Sequence, residues 1–416
     1  MNKFSFKQAN WKQHEVLLLN SKGSGIKLPA EFQIVTEKWN QIVRVPYLIF
    51  MPEKEQLLML VGCGDPLLAM VMTSNDWANS WTEPVYVDNN VKEREARKSM
   101  IGVSLTYLGN GKIIFSLESS SERYFSDDYG QSWSKDLSKL PNSDGNHWYQ
   151  WDPYLVDKDP VTGKVTRIWE TGWNNWVGSH YTCGYLRFST DEGRTWSKDI
   201  RVPAWHGVSE VALHRAKNGN IVAACRTKEP KRFKGEIDHY YGLGISISKD
   251  NGQTWSSINR LYEWGRHHPS MLTLPNGDII MTYVVRKGYV DTPEGYPQFG
   301  IEAVISGDNG ETWDLDHKYI LADWEGNRKG PHAWWASSQS TSSVMLPDQS
   351  ILTAFGTGYR SQPDKNGHTG KPLPHDIGLV RWHVGKARLD DDKKIRNARF
   401  DSDLRNIFDL NQIHAR

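Results

Sequence analysis

An eight-residue pattern, S-x-D-x-G-x-[ST]-W, recurs along the chain and constrains its fold more than any other feature. Full copies begin at Ser126, Ser189, Ser248 and Ser306. A further copy begins at Ser74, where Ala78 replaces the glycine. Successive copies start 52, 63, 59 and 58 residues apart. A pattern that returns at a nearly fixed period indicates an array of similar structural units.

The residue types of this eight-residue box are those of a tight turn. Serine and aspartate side chains hydrogen-bond backbone amides two or more residues further on, and glycine readily adopts a positive φ. The closing tryptophan is a large apolar side chain that can anchor the turn to its own sheet. We therefore assign the aspartates and tryptophans of the boxes to structure and not to catalysis.

Between the boxes the chain repeats a unit of strand, turn and strand. Val103 to Leu108, for example, precedes a turn at Gly109-Asn-Gly111. Short strands with Gly, Asn and Asp turns and almost no helical periodicity favour an all-β fold. The units contain the apolar segments 44–51, 103–108, 154–156, 211–213, 271–274 and 344–346. Six units, each about as long as a four-stranded sheet, predict a six-bladed β-propeller, with seven blades as the rival count.

The rest of the chain completes this picture as one domain, residues 1–416. A strand at His14 to Leu19 is expected to complete the last blade and close the ring. Residues 386–416 are charged and polar, and we expect them to form a surface tail. No linker that would separate two domains is visible.

Composition argues against several classes of partner. The formal net charge is +1 and no block of basic residues occurs, which disfavours nucleic acid or an anionic membrane surface. No apolar run of roughly 18 residues occurs, so no membrane span is expected.

Cys63, Cys183 and Cys225 are isolated and odd in number, and suggest neither a disulfide framework nor a metal site. No cofactor is predicted, and the oligomeric state is left open. The first residues do not resemble a signal peptide, so a cytoplasmic location is expected, or a secreted or periplasmic one if a leader had been removed.

The turns locate the pocket end of the predicted inner strands. Glu210 and His268 each lie nine residues before the glycine of the following turn, Gly219 or Gly277. Equivalent positions in all units form a predicted ring of Arg44, Gly102, Asp152, Glu210, His268 and Ser340. Ionisable groups at equivalent positions of repeated units are poor core residues, so this ring predicts a functional site.

The boxes resemble the Asp-box, or bacterial neuraminidase repeat, of the sialidase superfamily, and the resemblance covers residues 44–385. Arg44-Val45-Pro46 resembles the Arg-Ile-Pro motif whose arginine belongs to a carboxylate-binding triad in that superfamily. Glu210 followed by Arg226 resembles its pair of a glutamate and the second triad arginine. Asp65 resembles the acid/base aspartate. The resemblance thus implies a clamp of Arg44 and Arg226 on a substrate carboxylate, a role that suits the planar guanidinium group.

This sequence departs from the sialidase pattern at two positions. The third arginine is missing from its usual place, so Arg286 or Arg266 would have to substitute. The nucleophilic tyrosine should open the last inner strand, where this chain has Ser340-Thr341, and Tyr359 lies at the end of the following strand. Tyr359 remains the candidate tyrosine.

Histidines cluster near the predicted pocket, with His147, His206, His267 and His268 at or before strand starts. They raise a second interpretation, because lyases with similar propellers use His, Tyr and Arg to remove a proton beside a uronate carboxylate. A metal site of His147, His267 and His268 has no supporting spacing, and none is predicted. Three functions stay open: a sialidase-like exo-glycosidase acting on an acidic glycan, a lyase that cleaves next to a uronic acid, and a propeller that only binds glycans.

For either enzyme, Glu210 and His268 are expected to face one pocket and to share the proton transfers. Glu210 beside Arg226 would remain a carboxylate. His268 would titrate near neutrality and supply or accept the second proton. Asp152 and His147 are assigned to substrate binding.

Overall fold

The computed structural model describes residues 11–20, 25–39, 41–64, 66–90, 100–118, 120–137, 139–175, 182–228, 241–287, 298–324, 337–357 and 376–385. These residues form 25 β-strands and one 3-10 turn at Pro52–Lys54. Because that turn is the only helical segment among them, the described part contains no candidate membrane-spanning helix. The predicted all-β class is confirmed.

Four separate sheets have four antiparallel strands each. The first contains β3 (Val43–Met51), β4 (Gln56–Cys63), β5 (Leu68–Ser74) and β6 (Val85–Tyr86). The second contains β7 (Gly102–Gly109), β8 (Lys112–Leu117), β9 (Arg123–Ser126) and β10 (Ser134–Asp136). The third contains β11 (Leu155–Lys158), β12 (Val165–Asn175), β13 (Thr182–Ser189) and β14 (Ile200–His206). The fourth contains β15 (Val208–Arg215), β16 (Ile221–Thr227), β17 (Gly242–Ser248) and β18 (Asn259–Tyr262).

The remaining strands form one nine-stranded sheet. One run of it contains β19 (Arg266–Thr273), β20 (Ile279–Lys287), β21 (Gln298–Ser306) and β22 (His317–Trp324). A second run contains β23 (Thr341–Met345), β24 (Ile351–Thr357), β25 (Asp376–Trp382) and β2 (Gly25–Ile34). Strand β1 (Lys12–Asn20) joins the two runs by pairing with β22 and β2. The strand order of the described residues thus contains six four-stranded units.

The first strands of these units are linked side by side around the molecule. Tyr154 N donates to Thr106 Oγ1 (2.9 Å), which connects the second and third sheets. The last unit meets the first where Leu48 N donates to Ser342 Oγ (2.8 Å). Buried apolar clusters lie between neighbouring sheets, for example where Leu58 and Leu60 of the first sheet pack with Ile113 and Phe115 of the second. This arrangement is that of a propeller, with the first strands innermost.

The N-terminal closure differs from the prediction in one strand. The strand expected at His14 to Leu19 is present as β1, but β2 is the strand that pairs directly with β25. The apolar alternation of β2, at Ile26, Leu28, Ala30, Phe32 and Ile34, lets it cover the cluster around Trp382. Strand β1 then lies one position further out. The predicted tail, residues 386–416, lies outside the described residues.

The five boxes fold into the same turn. In the second box, Ser126 Oγ accepts a hydrogen bond from Gly130 N (2.9 Å), and Asp128 Oδ1 accepts one from Ser132 N (2.9 Å). The fourth and fifth residues of every box have positive φ, including Trp77 (55°) and Ala78 (69°) in the copy that lacks glycine. The structural role predicted for the box aspartates agrees with this geometry.

Each box also holds its own blade against the preceding one. A Cβ at Gly130 would overlap Leu58 of the first sheet, and one at Gly193 would lie 2.5 Å from Ile114 of the second. Ala78, in the first box, accepts a hydrogen bond from Gln33 Nε2 of β2 (2.9 Å). The boxes therefore fasten successive blades together, and the first box takes part in closing the ring.

Candidate active site

Four of the inner strands contain a non-glycine residue in the left-handed region of φ. These residues are Val45 (55°), Ser104 (65°), Glu210 (48°) and His268 (47°). Each lies inside a break in the pairing register between the first and second strand of its sheet. Such bulges redirect side chains, and strained residues of this kind concentrate at functional sites. The redirected strand ends are those that the turn spacing assigned to the pocket.

Glu210 and His268 lie next to each other, on neighbouring blades. Arg226 Nη1 donates a hydrogen bond to Glu210 Oε1. His268 Nδ1 lies 3.1 Å from Glu210 Oε2. Arg286 Nη2 lies 3.3 Å from His268 Nε2 and donates to Ser338 O (2.8 Å). One carboxylate, one imidazole and two guanidinium groups thus form a single buried cluster, which we call the Glu210 cluster.

The charges of the Glu210 cluster follow from burial and from its arginines. Burial alone would raise the pKa of Glu210, but the positive charges of Arg226, His268 and Arg286 outweigh it and lower that pKa. Burial lowers the pKa of His268 to about 4. Burial and the charge of Arg226 lower the pKa of Arg286, although a guanidinium remains charged at neutral pH. At neutral pH the cluster holds one anion, two cations and a neutral imidazole.

The expectation that His268 titrates near neutrality is therefore wrong. Its side chain is 5% exposed, and loss of water disfavours the imidazolium more than Glu210 favours it. His268 can still accept a proton, but only transiently at neutral pH.

Asp152 adds a second carboxyl group beside Glu210. Burial and then the negative charge of Glu210 raise the pKa of Asp152 well above its usual range. Burial and then the negative charges of Asp152 and Glu210 raise the pKa of Tyr47. Its hydroxyl donates a hydrogen bond to Trp151 O (2.6 Å). The Trp151 ring lies 5.7 Å from that of His268. Burial thus favours the protonated form of Asp152, whereas the neighbouring arginines favour the ionised form of Glu210.

Three atoms of the carboxyl and imidazole groups of this site are buried without a hydrogen-bond partner among the described residues. They are Asp152 Oδ2, Glu210 Oε2 and His268 Nδ1. The last two lie close together but lack the alignment of a hydrogen bond. Buried polar atoms are normally satisfied, so three such atoms from three blades indicate a place where a ligand or water completes the hydrogen bonding.

Two other predicted site residues, Arg266 and His147, contact groups outside the Glu210 cluster. Arg266 Nη2 lies 3.6 Å from Glu302 Oε2, and its guanidinium packs over Tyr262. His147 Nε2 lies 3.3 Å from Glu118 O, on the rim of the third sheet. Arg44 is buried at the start of β3, and its role as a clamp stays a prediction. Asp65 and Tyr359 lie outside the described residues.

Two remaining ring positions and one of the extra histidines contact groups outside the Glu210 cluster. Ser340 Oγ donates to Pro46 O (3.0 Å), and Gly102 packs against Leu60. His206 is exposed, with Nδ1 3.9 Å from Cys183 Sγ. Among the residues with described positions, no group of three or more His, Cys, Asp or Glu side chains could hold a metal ion.

Sequence reasoning did not select Tyr47 or Trp151, although both could have been found. Tyr47 is three residues beyond Arg44 on the same inner strand, and Trp151 immediately precedes Asp152. Both therefore stand beside positions that the turn spacing had already assigned to the pocket.

Comparison with known proteins places this architecture in a family. A family model described as a BNR repeat-like domain matches residues 150–361, more than half of the 416 residues. The chain belongs to the BNR repeat-like family. No curated protein matches it.

Solved structures similar to this BNR repeat-like chain are propellers of low sequence identity. A protein of unknown function from Dyadobacter fermentans is 16% identical, with a TM-score of 0.60, covering 83% of this chain and 96% of that one. A Hadza microbial sialidase is 13% identical, with a TM-score of 0.56, covering 82% of this chain and 66% of that one. An α-L-arabinofuranosidase from Fusarium graminearum is 11% identical, with a TM-score of 0.52, covering 83% and 94%. These similarities confirm the sialidase-like propeller fold.

Proposed function

We propose that this BNR repeat-like propeller is a glycoside hydrolase that acts on a sugar bearing a carboxylate. The observation that carries the proposal is the pair of carboxyl groups at the pocket end of the inner strands, whose surroundings shift the pKa of Asp152 up and that of Glu210 down. Glycosidases use one carboxyl as an acid and another as a base or nucleophile, and differing environments separate the two pKa values. Similar folds that carry sialidase and arabinofuranosidase names support the same reaction class.

The two carboxyl groups have different tasks in this proposal. Asp152 donates a proton to the glycosidic oxygen as the bond to the leaving group breaks. Glu210 faces the positive charge that develops on the sugar, and its unpartnered Oε2 is the atom available for that role. Arg226 holds the other oxygen of Glu210 and so fixes the orientation of the carboxylate.

Two neighbouring guanidinium groups support an acidic sugar. Arg226 and Arg286 are close enough for the charge of Arg226 to lower the pKa of Arg286. Planar guanidinium groups bind a carboxylate through paired hydrogen bonds, so both are suited to hold a substrate carboxylate. Arg286, and not Arg266, is therefore the residue that we propose for the missing third arginine, together with Arg44 and Arg226.

A lyase is the second candidate, and the neutral state of His268 favours it. An imidazole that is unprotonated at neutral pH can remove the proton beside a uronate carboxylate. Elimination leaves a carbon–carbon double bond in the product, whereas hydrolysis leaves none. The two reactions are therefore distinguished by the ultraviolet absorbance of the product.

The test of the proposal is a screen of acidic glycans with neutral analogues as controls. The panel contains sialyl, glucuronyl and galacturonyl glycosides and arabinofuranosides, read by reducing-end release and by ultraviolet absorbance. Hydrolysis of an acidic sugar in preference to its neutral analogue is the expected result. Preference for the neutral analogue would reject the arginine clamp. Binding without turnover would favour the glycan-binding alternative.

The pH profile is expected to follow the two carboxyl groups. Activity requires Glu210 ionised and Asp152 protonated, so kcat/KM should form a bell between the lowered pKa of Glu210 and the raised pKa of Asp152. Asp152→Asn should lower kcat/KM about 10²–10⁴-fold and remove the basic limb. Rates are measured across the pH range with circular dichroism to verify folding. An unchanged basic limb in the variant would assign that limb to another group.

A further inference from the structure

A row of aromatic rings extends from the rim of the third sheet towards the Glu210 cluster. The rings of His147 and Tyr149 are 4.6 Å apart and meet edge to face. Tyr149 and Trp173 stack at 4.8 Å, with 21° between their planes. Trp151 follows, with its ring 5.7 Å from that of His268. Within the segment 147–152, Tyr149 therefore contacts the rim aromatic groups and Trp151 lies beside the catalytic centre.

A backbone hydrogen bond and packing on the core side hold Tyr149 and Trp173 in place. Trp173 N donates to Tyr149 O (2.9 Å), so the two residues face each other as a single bridge. Between them and the core, the buried Trp148 packs on Gly172, where a Cβ would overlap the indole. Because successive side chains of an extended chain point to opposite faces, Tyr149 and Trp173 lie on the face away from Trp148, where both are partly exposed.

We propose that Tyr149 and Trp173 form a binding platform for a second sugar residue of the substrate, next to the sugar held at Glu210. This rests on the proposed function. The two rings stack on each other, so each keeps one face that the other does not cover. This rigid, partly exposed pair can offer apolar surface to the C–H face of a sugar and loses little conformational freedom on binding. Three residues of chain separate Tyr149 from Asp152 and span at most about 10 Å, which is within reach of the neighbouring sugar of an oligosaccharide. The substrate class is therefore an oligosaccharide and not a simple glycoside.

The test compares substrates of different length in Tyr149→Leu and Trp173→Leu. The probes are the methyl glycoside of the best sugar from the screen and oligosaccharides of two to four residues with the same terminal sugar. Each variant is expected to lower kcat/KM at least about tenfold on the oligosaccharides, mainly through KM, and to leave the methyl glycoside unaffected. Tyr86→Leu is the matched control, because Tyr86 is an exposed aromatic residue on the outermost strand β6. Equal losses on short and long substrates, or no loss on either, would overturn the platform.

A separate measurement keeps the platform testable if the wild type cleaves none of the panel. Calorimetric titration with sialyllactose and with trigalacturonate then reports binding alone. Binding that weakens in both variants and not in Tyr86→Leu supports the platform while the hydrolase proposal fails. Equal affinity in all proteins, or no binding of either probe, overturns it.

Discussion

Replacing Glu210 with glutamine is expected to lower kcat by about 10²–10⁴-fold on the sugar identified in the screen. Glutamine has nearly the same shape and can still accept a hydrogen bond from Arg226, so substrate binding should change much less. What is lost is the negative charge opposite the developing positive charge of the sugar. The measurement is steady-state kinetics of the wild type and the variant at the pH of maximum activity.

A second, partly buried glutamate supplies the matched control. Glu302 also pairs with an arginine, Arg266 (3.6 Å), and accepts a hydrogen bond from Tyr283 (3.1 Å), but these groups lie outside the Glu210 cluster. Glu302→Gln is expected to keep kcat within about a factor of three, because a group remote from the reacting atoms makes no contact that changes in the transition state. Comparable losses in both variants would show that the effect is structural, and normal kcat in Glu210→Gln would remove Glu210 from the mechanism.

The fold was predictable because its information is local and repeated. A box such as Ser126 to Trp133 contains every group that its turn needs, so its sequence specifies its structure without distant partners. The first box adopts the same turn although alanine replaces glycine there, with Ala78 at a positive φ of 69°. The other residues of the box are therefore enough to specify the turn. Strand β2 was harder to find because it contains Pro29, which argues against a strand, and because its partner β25 is distant in the chain.

Part of the site was predictable for the same reason. The distance from a turn glycine back along one strand is local, and it located Glu210 and His268 at one end of adjacent blades. The information that decides which arginine lies in the site is not local in the sequence. Arg266 and Arg286 lie on paired strands, and the choice depends on the bulge around His268 and on Glu302 from a third strand. The neutral state of His268 depends on burial, which no spacing reveals.

Replacing Glu170 with glutamine is expected to lower the free energy of unfolding by about 3–5 kcal/mol. Glu170 is fully buried between two blades and accepts hydrogen bonds from Arg123 and Arg187 (3.2 Å). Burial raises its pKa, but the two guanidinium charges outweigh burial and lower it. Without the carboxylate, Arg123 and Arg187 remain as buried charges near Lys139, whose pKa burial lowers to about 7.

Urea denaturation at neutral pH measures this effect, and acid supplies a second readout. Because the folded pKa of Glu170 is below the reference value of 4.5, its contribution is present above that pH and is lost as the pH falls further. The difference between wild type and Glu170→Gln should therefore shrink in acid. Glu311→Gln is the control, because its pair with Lys249 (2.6 Å) lies at the surface and contributes at most about 1 kcal/mol. If Glu170→Gln cost no more than Glu311→Gln, the buried triad would contribute no net stability.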